Sequence, residues 1–167
     1  MSIINQVPDG KDPFSVCLIS TDCTTTSGIA HRVLEDNGHS DILLQYMENA
    51  LQRHHISPEA LQRHMDLIAS LKIENLPIPR SPYPQTSKTQ KGNFAEVFLA
   101  EYLVSTTDME LPIYRLRYNT NPDQSMKGDD VLLFDLDSDP VRIIVGESKF
   151  RGIPDKQSVI DIVDGLV

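Results

Sequence analysis

Gly128-Asp129-Asp130-Val131-Leu132-Leu133-Phe134-Asp135-Leu136 runs into a turn at Asp137-Ser138-Asp139-Pro140. Val141-Arg142-Ile143-Ile144-Val145-Gly146-Glu147-Ser148-Lys149-Phe150 follows. Two apolar runs joined by a short turn predict a β-hairpin. Side chains alternate faces along a strand, so Glu147 and Lys149 are expected on the same face. Pairing across the 137–140 turn brings Asp130, which opens the first strand, to the same end of the sheet as Glu147. Two carboxylates and a lysine at a sheet end suit a hard divalent cation and a phosphodiester.

Composition sets the frame around this hairpin. The 167 residues are enough for one domain, or one domain with an appendage. At 40% hydrophobic and 23% charged, the chain is ordinary for a soluble globular protein. No apolar run approaches the roughly 18 residues of a membrane span, so no membrane role is expected. The polar start, with Asp9 and Asp12, is not a signal peptide. Cys17 and Cys23 lack both a disulfide framework and zinc-ligand spacing, and read as free thiols in a reducing cytoplasm. The net charge of −9, from 15 basic and 24 acidic residues, opposes unaided tight binding to nucleic acid. A DNA-acting role therefore requires a local basic patch or a partner that holds the strand.

Upstream of the hairpin, Lys91-Gly92-Asn93-Phe94-Ala95-Glu96-Val97-Phe98-Leu99-Ala100-Glu101-Tyr102-Leu103 predicts a helix that is apolar on nearly all sides and hence buried. It is expected to start with Asn93 as its cap and to run to about Val104. Glu96 falls at helical spacing with Leu99, Ala100 and Leu103, where a carboxylate is costly unless paired. The plain reading of Glu96 is a capping box with Asn93, three residues before it. Residues 111–118 read as a strand with Arg115 and Arg117 on one face, and 157–166 has helical spacing through Val159, Ile160, Val163 and Leu166.

The first half of the chain carries weaker signals. A short strand is expected over 13–20 and a Thr-rich loop over 21–28. A helix should begin with Ser40 as its cap, and another at Ser57-Pro58-Glu59. The apolar stripe of the second is Leu61, Met65, Ile68, Ala69 and Leu71. His54, His55 and His64, with Arg53 and Arg63, are expected on solvated helix faces rather than in a metal or phosphate cluster. Pro77, Pro79, Pro82 and Pro84 mark an extended linker. The domain division is accordingly 1–87, a strand and helices ending in a Pro-rich linker, and 88–167.

Helix with Glu, strand, strand opened by Asp, strand ending in Glu-x-Lys, then helix: this order resembles the PD-(D/E)xK nuclease superfamily over roughly residues 91–167. The resemblance implies an α/β (α+β) fold with a mixed sheet flanked by helices, behind a mostly helical N-terminal region. It implies Asp130 and Glu147 as ligands of Mg²⁺ (or Mn²⁺), Lys149 as the lysine and Glu96 as the helix glutamate. Gly128-Asp129-Asp130 stands where the superfamily has Pro-Asp, which leaves Asp129 as an alternative ligand to Asp130. The small Gly146 and Ser148 beside Glu147 leave room for a phosphate backbone. The superfamily core ends on a strand, whereas this chain ends at Val167, so a core truncated at its C-terminus is expected.

A finer resemblance, carried by Lys-Gly-Asn-Phe-Ala-Glu-Val-Phe-Leu, Gly-Asp-Asp-Val-Leu-Leu-Phe and Gly-Glu-Ser-Lys-Phe, is to the HamA family, nuclease subunits of the Hachiman anti-phage defence system. It implies a Mg²⁺-dependent DNase restrained by a superfamily 2 helicase subunit, HamB, that would hold the DNA. The alternative is a nuclease-fold interaction module without catalysis. A nucleotide-hydrolysing site within the chain is not expected, since no Gly-x-x-x-x-Gly-Lys-Ser/Thr occurs.

Overall fold

The computed structural model describes residues 12–26, 28, 30–71 and 81–153. The first element is a helical turn, α1 (Pro13–Cys17). Proline sits at its start, where a missing N–H costs nothing, and Asp12 Oδ1 accepts from Phe14 N at 2.8 Å. The strand expected over 13–20 therefore begins only at Leu18. Strand β1 (Leu18–Thr24) pairs antiparallel with β2 (Ala30–Asp36), from Leu18 opposite Asp36 to Thr24 opposite Ala30. Much of the Thr-rich segment expected as loop is thus strand, in keeping with the β-preference of threonine.

Helix α2 (Ser40–His55) starts on Ser40 itself; His39 holds the cap position and makes no side-chain cap bond. At α3 (Pro58–Leu71), Ser57 Oγ accepts from Ala60 N at 3.1 Å, the cap that the sequence predicts. The apolar stripe of α3 is only partly covered: Leu61 and Ile68 are half-buried, and Met65, Ala69 and Leu71 are exposed.

Helix α4 (Ser87–Thr106) begins seven residues before the expected start. Thr86 caps it, its side chain accepting from Thr89 N, and Asp123 Oδ1 accepts from Thr86 N at 3.0 Å. Asn93 is therefore inside the helix, and the capping-box reading of Glu96 fails. The strand expected over 111–118 is also absent. An isolated bridge between Glu110 and Phe134 is followed by a 3₁₀ turn, Arg115–Tyr118. Pro112 lies in that stretch and cannot donate to a strand ladder. The two arginines also part company: Arg117 Nε donates to Arg53 O at 2.9 Å, and Arg115 turns toward α4.

The hairpin forms as expected. Strand β3 (Val131–Asp135) pairs antiparallel with β4 (Arg142–Gly146), Val131 opposite Gly146 and Asp135 opposite Arg142. The α+β class holds. Among the described residues the strands make two separate two-stranded antiparallel sheets rather than one mixed sheet. The helix expected over 157–166 lies outside the described residues.

One core cluster joins Phe14, Met47, Ala50, Val97, Tyr102 and Leu116, from α1, α2, α4 and the 3₁₀ turn. Phe14 sits edge-on to Tyr46, Phe98 and Tyr102, with centroids 5.4–5.7 Å apart. A second cluster joins Ala100, Leu103 and Met109 to Val131 and Leu133 of the hairpin. Helix α4 feeds both clusters, which is why its sequence is apolar on nearly every side. A Cβ added to Gly146 would meet Leu99 Cδ2 at 3.1 Å and Val131 Cβ at 3.3 Å. The small residue there serves helix–hairpin packing, not room for a phosphate.

Candidate active site

The register of the hairpin builds one wall of a cleft. Asp130 N donates to Gly146 O at 3.1 Å just beyond the last ladder pair, so Asp130 and Glu147 stand together at the open end of the sheet. Strand β4 ends at Gly146. Ser148 turns back on Asp130, and Oδ2 accepts from Ser148 N at 2.8 Å and Ser148 Oγ at 2.7 Å. Lys149 Nζ is ion-paired with Glu147 Oε1, so these two side chains do meet on one side as the alternation predicts. Asp129 is exposed, does not line the cleft, and contributes only its carbonyl oxygen as an acceptor for Arg115.

Helix α4 supplies the opposite wall. Glu96 is only 8% exposed. Arg115 reaches in from the 3₁₀ turn: its Nε is 3.2 Å from Glu96 Oε1 and its Nη1 is 3.7 Å from Asp130 Oδ1. The guanidinium also donates to the Met126 and Gly128 carbonyls at 3.1 and 3.2 Å, which fastens the loop leading into β3. The cleft between the walls has a volume of about 400 Å³. Glu96, Asp130, Glu147 and Lys149 all line it, although no single stretch of sequence contains them.

Burial pushes the Glu96 carboxyl up to about 7. Arg115 pulls it down, while the charges of Asp130 and Glu147 push it further up. Folded Glu96 thus binds its proton more tightly than the unfolded chain does. Its contribution to stability is fully present below the ordinary glutamate range and is lost as pH rises through about 7. Unfolding in chelator is expected to show stability falling by a few kcal/mol between about pH 4.5 and 7. Glu96→Gln should remove that slope. Identical pH profiles for the two proteins would show that Glu96 does not carry this charge burden.

A second buried network lies behind the cleft. Glu101 accepts from Tyr46 Oη, from Arg53 at 3.1 Å and from His54 Nε2 at 2.8 Å. His55 meets Asn93 Nδ2 through Nε2 at 3.0 Å and the Leu51 carbonyl through Nδ1 at 2.8 Å. The solvated-face expectation therefore fails for His54 and His55, which are 4% and 6% exposed, while Arg63 remains on the surface. Burial lowers the affinity of His55 for a proton, which keeps the ring neutral. Helix α2 is tied to α4 through these histidines, one turn of α4 away from Glu96.

Sequence reading missed Arg115 and Ser148. The signal for the first was present: a carboxylate in an apolar helix demands a cation, and Arg115 is one of two arginines in the segment that follows α4. Ser148 carried no signal apart from its place beside Glu147. Cys17 and Cys23 are unpaired thiols. Among the described residues, no helix is long and apolar enough to cross a membrane.

The HamA family model matches residues 12–167. The chain belongs to the HamA family. It is 37% identical over 133 residues to the Hachiman protein HamA of Bacillus cereus, an overlap that covers 77% of this chain and 48% of that protein. The HamA-family chain thus spans about half the length of the curated relative it matches. No solved structure matches it. All the candidate site residues fall within the HamA match.

Proposed function

We propose that this HamA-family chain is a metal-dependent DNA endonuclease of PD-(D/E)xK type. In this reading it acts as the effector of an anti-phage defence complex and is held in check by a HamB-like helicase partner. The observation that carries the reading is the convergence of Glu96, Asp130, Glu147 and Lys149 on one cleft from two distant parts of the chain. The likeness to a Hachiman protein supports the defence role.

The donors suit Mg²⁺ or Mn²⁺. Carboxylate oxygens face the cleft, and its lining contains no cysteine or histidine. Asp130 and Glu147 both act on the buried Glu96 carboxyl, so the three carboxylates share one electrostatic environment. Asp130 and Glu147 would hold the ion, with Ser148 fixing the Asp130 carboxylate through two hydrogen bonds. The chemistry such an ion supplies is a more acidic water and a polarised phosphoryl oxygen. Lys149 brings a mobile positive charge to the phosphate, and Glu96 is poised to exchange a proton near neutral pH.

One observation favours a second reading, an interaction module without catalysis. Among the described residues no three His, Cys, Asp or Glu side chains are gathered as metal ligands, and Arg115 and Lys149 already pair with the carboxylates. Metal entry would require Lys149 to leave Glu147. Plasmid incubated with Mg²⁺, alone and with a helicase partner, separates the two. Cleavage by wild type should drop on the order of 10²–10³-fold in Glu147→Ala and Lys149→Ala. Wild type and both variants behaving alike under every condition would sink the nuclease reading. Mn²⁺ binding by calorimetry that survives Asp130→Asn unchanged would point to the module.

A further inference from the structure

Glycine inside a helix is unfavourable by roughly 0.5–1 kcal/mol relative to alanine unless something needs the space. Gly92 is the sixth residue of α4, and a Cβ placed on it would meet nothing within 4 Å. Packing within the chain therefore does not explain it. Gly92 lines the candidate cleft, and its positions on α4 relative to its neighbours are informative. Lys88, Gly92 and Glu96 follow one another at four-residue spacing and so share a helix face. Along that face an exposed cation comes first, then a bare backbone, then the buried carboxylate.

The opposite wall carries an aromatic ring. Phe150 directly follows Lys149, is 41% exposed, and lines the same cleft. Lys91 Nζ stands 5.5 Å from its ring centroid. A phenylalanine left half in water at a cleft rim offers a π-face to a planar ligand. Lys88, Lys91 and Arg151 gather at this cleft in a chain whose net charge is −9, so the positive field is local.

We infer that the cleft takes single-stranded DNA. The strand's backbone crosses α4 at Gly92, beside Lys88 and Lys91, and one unpaired base stacks on Phe150. Base stacking on an aromatic side chain, joined to a basic track for phosphates, is the general way in which unpaired strands are held. A base inside a duplex is already stacked on its neighbours and cannot offer its face to Phe150. A cleft of about 400 Å³ has room for a nucleotide or two of an unpaired strand. The inference rests on the nuclease reading above and assigns to it the form of DNA that enters.

Fluorescence anisotropy in chelator, with the full chain, tests it. The probes are a labelled oligothymidylate of about twenty nucleotides, the same length with abasic sites, and the same length as duplex. Wild type should bind the single strand at least about fivefold more tightly than the other two. Phe150→Ala should weaken single-strand binding about tenfold, leave duplex and abasic binding unchanged, and be rescued by Phe150→Tyr. Lys88→Ala and Lys91→Ala should weaken all three probes and flatten the salt dependence. Gly92→Ala should raise Tm by about 2 °C yet weaken single-strand binding several-fold, a pairing that damage to the fold cannot produce. Equal affinity for duplex and single strand, no binding at all, or silent Phe150→Ala and Gly92→Ala variants would each overturn the strand path. If plasmid is still cut with Mg²⁺ in that case, the nuclease reading stands. If Phe150-dependent binding holds while neither Mg²⁺ nor Mn²⁺ gives cleavage, the path stands and hydrolysis falls.

Discussion

Glu101→Ala is expected to cost about 3 kcal/mol of stability. The carboxylate is 7% exposed and serves three donors on α2. Burial alone would raise its pKa. The hydrogen bonds from His54 and Tyr46, with the charges of His54 and Arg53, overcome that and hold it below the ordinary range. Alanine would leave His54, 4% exposed, without its partner and the Tyr46 hydroxyl without its acceptor. Unsatisfied buried groups of this kind cost roughly 1–3 kcal/mol each, and Arg53, near the surface, adds little. Glu101→Gln keeps an acceptor oxygen and should cost about half as much. Urea unfolding of the three proteins measures this directly, and an alanine variant within about 1 kcal/mol of wild type would show that α2 does not depend on the network.

Arg115→Ala is the second large effect, at about 2–4 kcal/mol. Its guanidinium is the positive charge set between Glu96 and Asp130, and it holds the Met126, Gly128 and Asp129 carbonyls. Removing it strips the buried Glu96 of its counter-charge while Asp130 and Glu147 continue to repel it. The Glu96 carboxyl should therefore rise further above about 7, and the pH at which stability levels off should rise with it. Combining Arg115→Ala with Glu96→Gln should recover more than 1 kcal/mol of the loss, because the neutral amide no longer needs the charge. Strict additivity of the two substitutions would mean that the pair is not coupled.

The parts of the candidate site that were legible from sequence are those that a local rule controls. Period-two alternation placed Glu147 and Lys149 on one side, and the spacing across the turn set Asp130 beside Glu147. Ladder pairing leaves little freedom once the register is chosen. The start of α3 at Ser57-Pro58 was equally local. The start of α4 was not. Asn93 is a good cap by type, but Thr86 took that place because Asp123, 37 residues away, holds the preceding backbone. Arg115 and Arg117 were expected on one strand face, and Pro112 together with two distant sets of acceptors drew them apart.

By itself the sequence determined the hairpin, the buried character of α4, the order of the acidic residues and the presence of an uncompensated glutamate in an apolar helix. Tertiary structure alone decided which cation answers that glutamate, since Arg115 follows Glu96 by nineteen residues and no periodicity spans that gap. It also decided that His54 and His55 are interior, because a polar helix face looks solvated until another helix brings Glu101 and Asn93 against it. The physical reason is the range of the forces. Propensity and alternation act over a few residues and are written in the chain. The pairing of buried charges depends on which segments the core brings together, and only the packed chain sets that.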